Sequence, residues 1–463
     1  MKKALAMALG ALLVVGSAAP ASAASQVDFS GIYRTYFLSN WNQRFAPSEV
    51  RTNDAAYFSN RVQLNFGFHA TDEVSVYWRL RAPANERWGD RANGAPRGDN
   101  LRVMYAFGEI TQDWGLVSIG RLKAGYQNYG LSSLGWEPGG SDDMFTNTAV
   151  FGFDDEMNGI RYANRWDNGF QFVAQFLRPN EQEKVSTNDA PNWERLGSEA
   201  VTHDLYVMEP SYHWDGGGAA LSLIYQRNHT FFDNDLDDFE PALKAFYISP
   251  AIAHSWGDFG VHFAAKFGWG SQSDPFDGES DKARGQAAYL DFDYNYGPGN
   301  VNLAGWWTSG TKADANKWNG LVGMNDGFAP LIVAYNDWTN NRNFGATNLL
   351  NNANVRSGAA QNDDGEGIDG QANHWGTMLS GGHAFTDDVT LKYAVAYLAL
   401  NKVREGASKS IGWETDLGLQ IDLLDNLHFR STFGYLFAGS ALKIGDEKAA
   451  DAYNWFNTLT FSF

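Results

Sequence analysis

The chain contains no cysteine, which removes disulfides, thiolate metal sites and a cysteine nucleophile together. Proline is sparse at 13 residues, and charged residues make up only 19% of the 463, too few for a disordered chain or a coiled coil. Positive charge is the scarcer sign: 35 Lys and Arg stand against 54 Asp and Glu, a formal balance of -19. No cluster of basic residues offers the electrostatic footprint of a nucleic-acid binder, so no nucleic-acid partner is expected. Beyond the N-terminus, no apolar run approaches the roughly 18 residues that a membrane-spanning helix needs. Helical membrane proteins are thereby excluded.

What is present is aromatic and glycine-rich: 17 Trp, 20 Tyr, 31 Phe and 49 Gly. Hydrophobic residues reach 44% while mean hydropathy stays at -0.39, so apolar residues must be interleaved with polar ones. The N-terminus sets the compartment. Lys2 and Lys3 precede an apolar stretch from Ala4 to Val15, and Ala21-Ser22-Ala23 has the small-x-small form of a secretory cleavage site. Residues 1–23 are expected to be a cleaved signal peptide, because the apolar stretch is too short to anchor.

From Gln26 onward the sequence repeats one unit, about ten residues of strict alternation and then a break. Val62, Leu64, Phe66 and Phe68 share one face against Arg61, Gln63, Asn65 and His69. Val74, Val76, Trp78 and Leu80 alternate with Ser75, Tyr77, Arg79 and Arg81 in the same way. Period two means strand, since successive side chains point to opposite faces. Eighteen such segments can be counted, with sixteen as the alternative, and they begin near residues 27, 57, 74, 101, 115, 158, 170, 204, 219, 245, 259, 286, 300, 374, 389, 411, 427 and 453.

The connections sharpen the reading. Short turns such as Thr71–Glu73 and Gly257-Asp258 alternate with long polar stretches, the longest near 122–157 and 310–373. That alternation belongs to a transmembrane antiparallel β-barrel, with turns on one side and loops on the other. Bilayer hydrocarbon cannot satisfy an open sheet edge, so residues 24–463 are expected to close into a single barrel. Trp114, Trp166, Trp214, Trp256, Tyr294 and Tyr296, each beside a short turn, suit an aromatic girdle. Lumen-facing groups such as Asp291, Asp293 and Asn295 are then expected to be solvated.

The fifth segment, Gly115-Leu-Val-Ser-Ile-Gly120-Arg121-Leu122, leads into a connection carrying Glu137-Pro-Gly-Gly-Ser-Asp142-Asp143, followed by Asn158-Gly-Ile-Arg161-Tyr162. Here the sequence resembles the general porins of Gram-negative outer membranes. Their G-x-x-x-x-G-R strand enters a third loop folded into the bore, with an acidic stretch on that loop and an N-x-x-R-Y-like strand after it. The end of the chain, with Tyr453, Trp455, Leu459, Phe461 and Phe463 at alternate positions, looks like that family's signal for the barrel-assembly machinery. The resemblance implies a homotrimer in the outer membrane with one pore per protomer. It also implies no enzymatic activity and passive passage of small hydrophilic solutes and ions.

Residue by residue, the resemblance places basic wall positions at Arg61, Arg102 and Arg161, and acidic loop positions at Glu137 and at Asp142 or Asp143. Alternation independently puts Arg61, Arg79 and Arg81 on the lumen face, and sets Arg102 opposite Leu101, Val103 and Tyr105. Arginines facing acids across a narrow wet gap would filter solutes by a transverse field. General porins have about 16 strands and sugar-preferring ones about 18, so Trp136 on the inserted loop is a candidate stacking surface for sugars. Asp233, Asp235 and Asp237 could offer oxygen ligands to Ca²⁺, but no glycine or glutamate stands where an EF-hand needs one. No other cofactor is implied. No H-E-x-x-H, G-x-S-x-G or phosphate-cradling loop occurs. A closed barrel using the Asn-rich 310–373 loop as an adhesin or structural anchor is the other reading.

Overall fold

A computed structural model describes residues 26–41, 55–82, 102–125, 154–178, 202–229, 243–273, 280–310, 373–403, 408–442 and 450–463, together with 319, 322, 331, 333 and 406. It contains eighteen strands. These are β1 Gln26–Trp41, β2 Ala55–His69, β3 Val74–Ala82, β4 Arg102–Gln112, β5 Gly115–Gly125 and β6 Asp154–Arg165. The middle six are β7 Phe170–Arg178, β8 Thr202–Trp214, β9 Gly217–His229, β10 Leu243–Trp256, β11 Phe259–Ser273 and β12 Ser280–Asn295. The last are β13 Gly299–Thr308, β14 His374–Thr386, β15 Val389–Leu400, β16 Ser410–Leu424, β17 Leu427–Ala438 and β18 Ala452–Ser462.

Each strand pairs antiparallel with the next, and β1 pairs with β18 from Ile32↔Ser462 to Trp41↔Tyr453. The sheet has no free edge. At the seam, Gly31 N donates to Phe463 O at 2.7 Å and Phe463 N donates back to Gly31 O at 3.0 Å. Closure leaves no edge strand among the described residues, which is the condition for crossing lipid as a sheet.

The outward face is apolar and exposed: Phe29, Phe246, Ile252, Phe263, Leu303 and Leu417 all stand clear of the barrel. In water such a surface would aggregate; against lipid it is the solvated face. Trp114, Trp166, Trp214, Trp256 and Tyr294 are exposed at the short-turn ends, as an aromatic girdle requires.

Two strands begin earlier than alternation suggests, β6 at Asp154 and β12 at Ser280. Their first residues, Asp154-Asp155-Glu156 and Ser280-Asp281-Lys282, are polar at successive positions, so the alternation has no apolar half there. The connection expected over 122–157 is therefore shorter. Leu122 and Met157 are register partners inside β5 and β6, which leaves 126–153 between the strands. The repeated glycines of the Gly115-to-Arg121 motif have a local reason. Gly115 and Gly120 take φ of 133° and 134°, a region that disfavours any residue with a Cβ.

β4 also departs from strict alternation. Arg79 pairs with Tyr105 but Leu80 pairs with Val103, so Met104 is the extra residue of a bulge. Tyr105, expected on the face opposite Arg102, is thereby turned to the side of Arg79, whose guanidinium carbon lies 4.7 Å from its ring centre.

Candidate functional site: the channel lumen

The register builds a basic wall from four consecutive strands. Arg34 of β1 stands directly opposite Arg61 of β2, and Arg81 of β3 opposite the Arg102 position of β4. Gln63 links the two pairs by facing Arg81, while Asn65 faces Arg79. Like charges placed opposite each other on a sheet destabilise it. Aromatic rings and polar neighbours offset that cost here. The guanidiniums of Arg34 and Arg61 lie 5.9 and 5.7 Å from the Tyr36 ring, Arg34 Nε donates to Thr460 Oγ1 at 3.0 Å, and Arg79 Nε donates to Asn65 Oδ1 at 2.6 Å. Arg430 of β17 adds a further cation, its Nε donating to Gln420 at 2.9 Å.

Arg161 is separate from this row. It stands on β6 between Ser118 and Gln175, and Ser118 donates to Glu109 at 2.8 Å, so an acid neighbours it along the wall. Sequence reading missed Arg34 and Arg430. On β1 the lumen face also carries Ile32 and Tyr36, so both faces read as apolar and alternation lost its contrast. Trp136, Glu137, Asp142 and Asp143 lie outside the described residues, as do Asp233, Asp235 and Asp237.

The opposite part of the lumen is filled. Val322, Leu331 and Val333 of the long β13–β14 connection are buried in one apolar cluster with Leu205, Ile224, Tyr247 and Trp306. Val322 packs into the space left by Gly268 of β11, where a Cβ would come within 2.7 Å of its methyl carbon. The backbone N–H of Val333 donates to Glu414 Oε1 of β16 at 2.5 Å. One connection thus touches β11 and β16 from inside the barrel.

Its foot is clamped as well. Asn373 takes a left-handed φ of 64°, which asparagine tolerates better than most residues. Its amide donates to Lys402 O and accepts from Lys402 N, both at 2.9 Å, tying the foot to the β15–β16 connection.

Several polar groups on the lumen side of these strands are buried as well. Asp291, expected to be solvated, is 0% exposed. It lies 3.5 Å from His262 Nδ1 and accepts from Asn302 at 3.3 Å. Lys266 is equally buried, its Nζ 4.6 Å from the Tyr247 ring centre, and Glu209 accepts from Ser222. In contrast Arg61, Gln63, Asn65, Arg79 and Arg81 remain partly exposed. Arg34 itself is buried, so the accessible side of the lumen is the side of Arg61, Arg79 and Arg81.

A closed, lipid-facing barrel with a charged wall and an inward-folded connection matches one family over more than half its length: the Gram-negative porin profile covers residues 6–240. This chain belongs to the Gram-negative porin family. It is an outer-membrane protein. No curated protein matches the porin's sequence. Among solved structures it is similar to OccK11 (OpdR) of Pseudomonas aeruginosa, with 11% identity, a TM-score of 0.54, and coverage of 94% of this chain and 96% of that one. A BenF-like porin from Pseudomonas fluorescens Pf-5 has 10% identity, a TM-score of 0.55, and 95% and 98% coverage. The outer membrane protein opdK from Pseudomonas aeruginosa has 9% identity, a TM-score of 0.53, and the same coverage. At such identities the likeness concerns the fold.

Proposed function

We propose that this porin is a passive diffusion channel for small hydrophilic solutes and ions, narrowed from inside and filtered by charge, with anionic solutes favoured. The observation that carries this reading is the Arg34↔Arg61 and Arg81↔Arg102 register on four adjacent strands. A sheet gains nothing structurally from arginines facing one another. Their use is a field along the accessible wall, strongest where low-dielectric sides leave a narrow wet path. Size exclusion comes from the segment seated between β11 and β16, and from the β5–β6 connection where the general-porin resemblance puts Glu137, Asp142 and Asp143. Arg161 beside Glu109 extends the filter.

Planar-bilayer recording of the purified protein tests this directly. Stepwise channels with a reversal potential favouring anions in a salt gradient are expected; a barrel that never conducts would be the closed structural anchor instead. A homotrimer and recognition of the strand ending at Phe463 by the assembly machinery belong to the same reading, supported by the sequence resemblance. Native mass in detergent checks the first. In-cell crosslinking of β18 to the assembly machinery checks the second.

A further inference from the structure

The outward face of the barrel is not uniform around its circumference. On β13–β17, the ends nearest the long connections carry aromatic residues: Trp307 faces Trp375, and Tyr397 faces Trp413, which faces Phe437. On β7–β12 the same ends carry charge. Arg178 Nε is 2.9 Å from Asp204 Oδ1, Asp204 faces Arg227, Arg227 faces Lys244, and Lys244 and Lys282 both face Ser271. Arg284 stands two residues further along β12, opposite Trp269. All of these share the lipid-facing side with Tyr206, Tyr225, Phe246 and Trp269, which are exposed. The row holds five cations and one acid, in a chain whose total is -19.

Cations on the lipid side of a barrel are costly at mid-membrane and nearly free at its borders. These stand at a border. Lys244 and Trp256 occupy opposite ends of β10, a rise of roughly 30 Å at about 3.3 Å per residue and a tilt near 40°. The short turns mark the periplasmic side, so the row faces the outer leaflet. Asp204 pairs with Arg178 and faces Arg227, while Arg227, Lys244, Lys282 and Arg284 are exposed.

We infer that this row is a docking surface for phosphate-bearing lipid headgroups of the outer leaflet. The chemistry fits one occupant. Guanidinium and ammonium groups pair with phosphate, and the aromatic residues directly below lie against the acyl chains. A lipid held there would brace the six strands of this sector, β7–β12, whose lumen side carries the buried Lys266, His262 and Asp291.

The test is native mass spectrometry of the full-length protein in neutral detergent with bis-phosphorylated lipid A or its dephosphorylated form. The wild type is expected to hold the phosphorylated lipid at least about tenfold more tightly, with the preference shrinking as salt rises. Replacing Arg227, Lys244, Lys282 and Arg284 together with Gln should reduce that binding by about tenfold or more, while single-channel conductance stays unchanged because these side chains face away from the lumen. Single substitutions, starting with Arg227→Gln, provide a graded series should the fourfold variant fold poorly. Equal binding of the two lipids by the wild type would overturn the inference. So would undiminished binding by folded variants, or a lipid-independent change of oligomeric state, which would make the row a contact between copies.

Discussion

The backbone N–H of Val333 and the carboxylate of Glu414 meet at 2.5 Å inside the barrel, fastening the β13–β14 connection to the wall of β16. A buried N–H that loses its acceptor costs about 1–3 kcal/mol. Glu414→Ala should therefore loosen the inserted segment without touching the arginine wall. Larger and noisier single-channel currents are expected. If current amplitude and noise both stay at wild-type levels, the segment does not narrow the path.

Arg61 and Arg81 lie on the accessible side of the lumen, and each faces another arginine position or its neighbour. Arg61→Ala with Arg81→Ala should shift the salt-gradient reversal potential toward cations. A change of about two- to tenfold in the anion-to-cation permeability ratio is reasonable for charges bordering a partly wet gap. The Lys variants should keep most of the preference. An unchanged reversal potential in the double Ala variant would remove the basic wall from the filter.

The β1–β18 ladder that closes the barrel ends on the contact between Gly31 and Phe463. A Cβ on Gly31 would come within 2.5 Å of the Phe463 ring and 2.9 Å of the Gln63 carbonyl oxygen. Gly31→Val should lower the fraction of protein that migrates as folded barrel on unheated gels. Deleting Phe463 should do the same by removing the two hydrogen bonds at the end of the seam, each worth about 1 kcal/mol. Equal folded fractions for all three proteins would show the Gly31–Phe463 contact to be dispensable for closure.

Gly120 and Gly257 separate conformational strain from steric conflict. Both have positive φ, but a Cβ on Gly120 would sit 2.5 Å from Ala106 O, whereas around Gly257 there is open space. Gly257→Ala should cost about 1 kcal/mol, and Gly120→Ala about 3 kcal/mol or more. Urea unfolding midpoints in lipid vesicles compare the two. Similar midpoints would mean that β4 and β5 adjust around the added methyl.

Much of this was legible one strand at a time. Alternation located eighteen segments because each strand separates lipid from water, and that contrast is written into every second residue. It failed where the contrast vanishes. Asp154–Glu156 and Ser280–Lys282 are polar at successive positions, and Ile32 and Tyr36 mask Arg34 among apolar neighbours. The Met104 bulge shifts the phase of β4 by one residue, and that phase error placed Tyr105 on the wrong face.

The sequence by itself determined that the chain crosses a membrane as a closed sheet, roughly where its strands run, and which side of most of them meets water. Those properties are local: each follows from period two and the solvents on either face. Only the tertiary structure decided what the lumen is like. Register placed Arg34 against Arg61 and Arg81 against Arg102, although no pair is close in sequence. Folding buried Asp291 and Lys266, seated Val322, Leu331 and Val333 of the β13–β14 connection in an apolar cluster inside the barrel, and left Arg61, Arg79 and Arg81 partly exposed. Both depend on contacts between residues tens to hundreds of positions apart, and the alternation of a single strand contains no information about them.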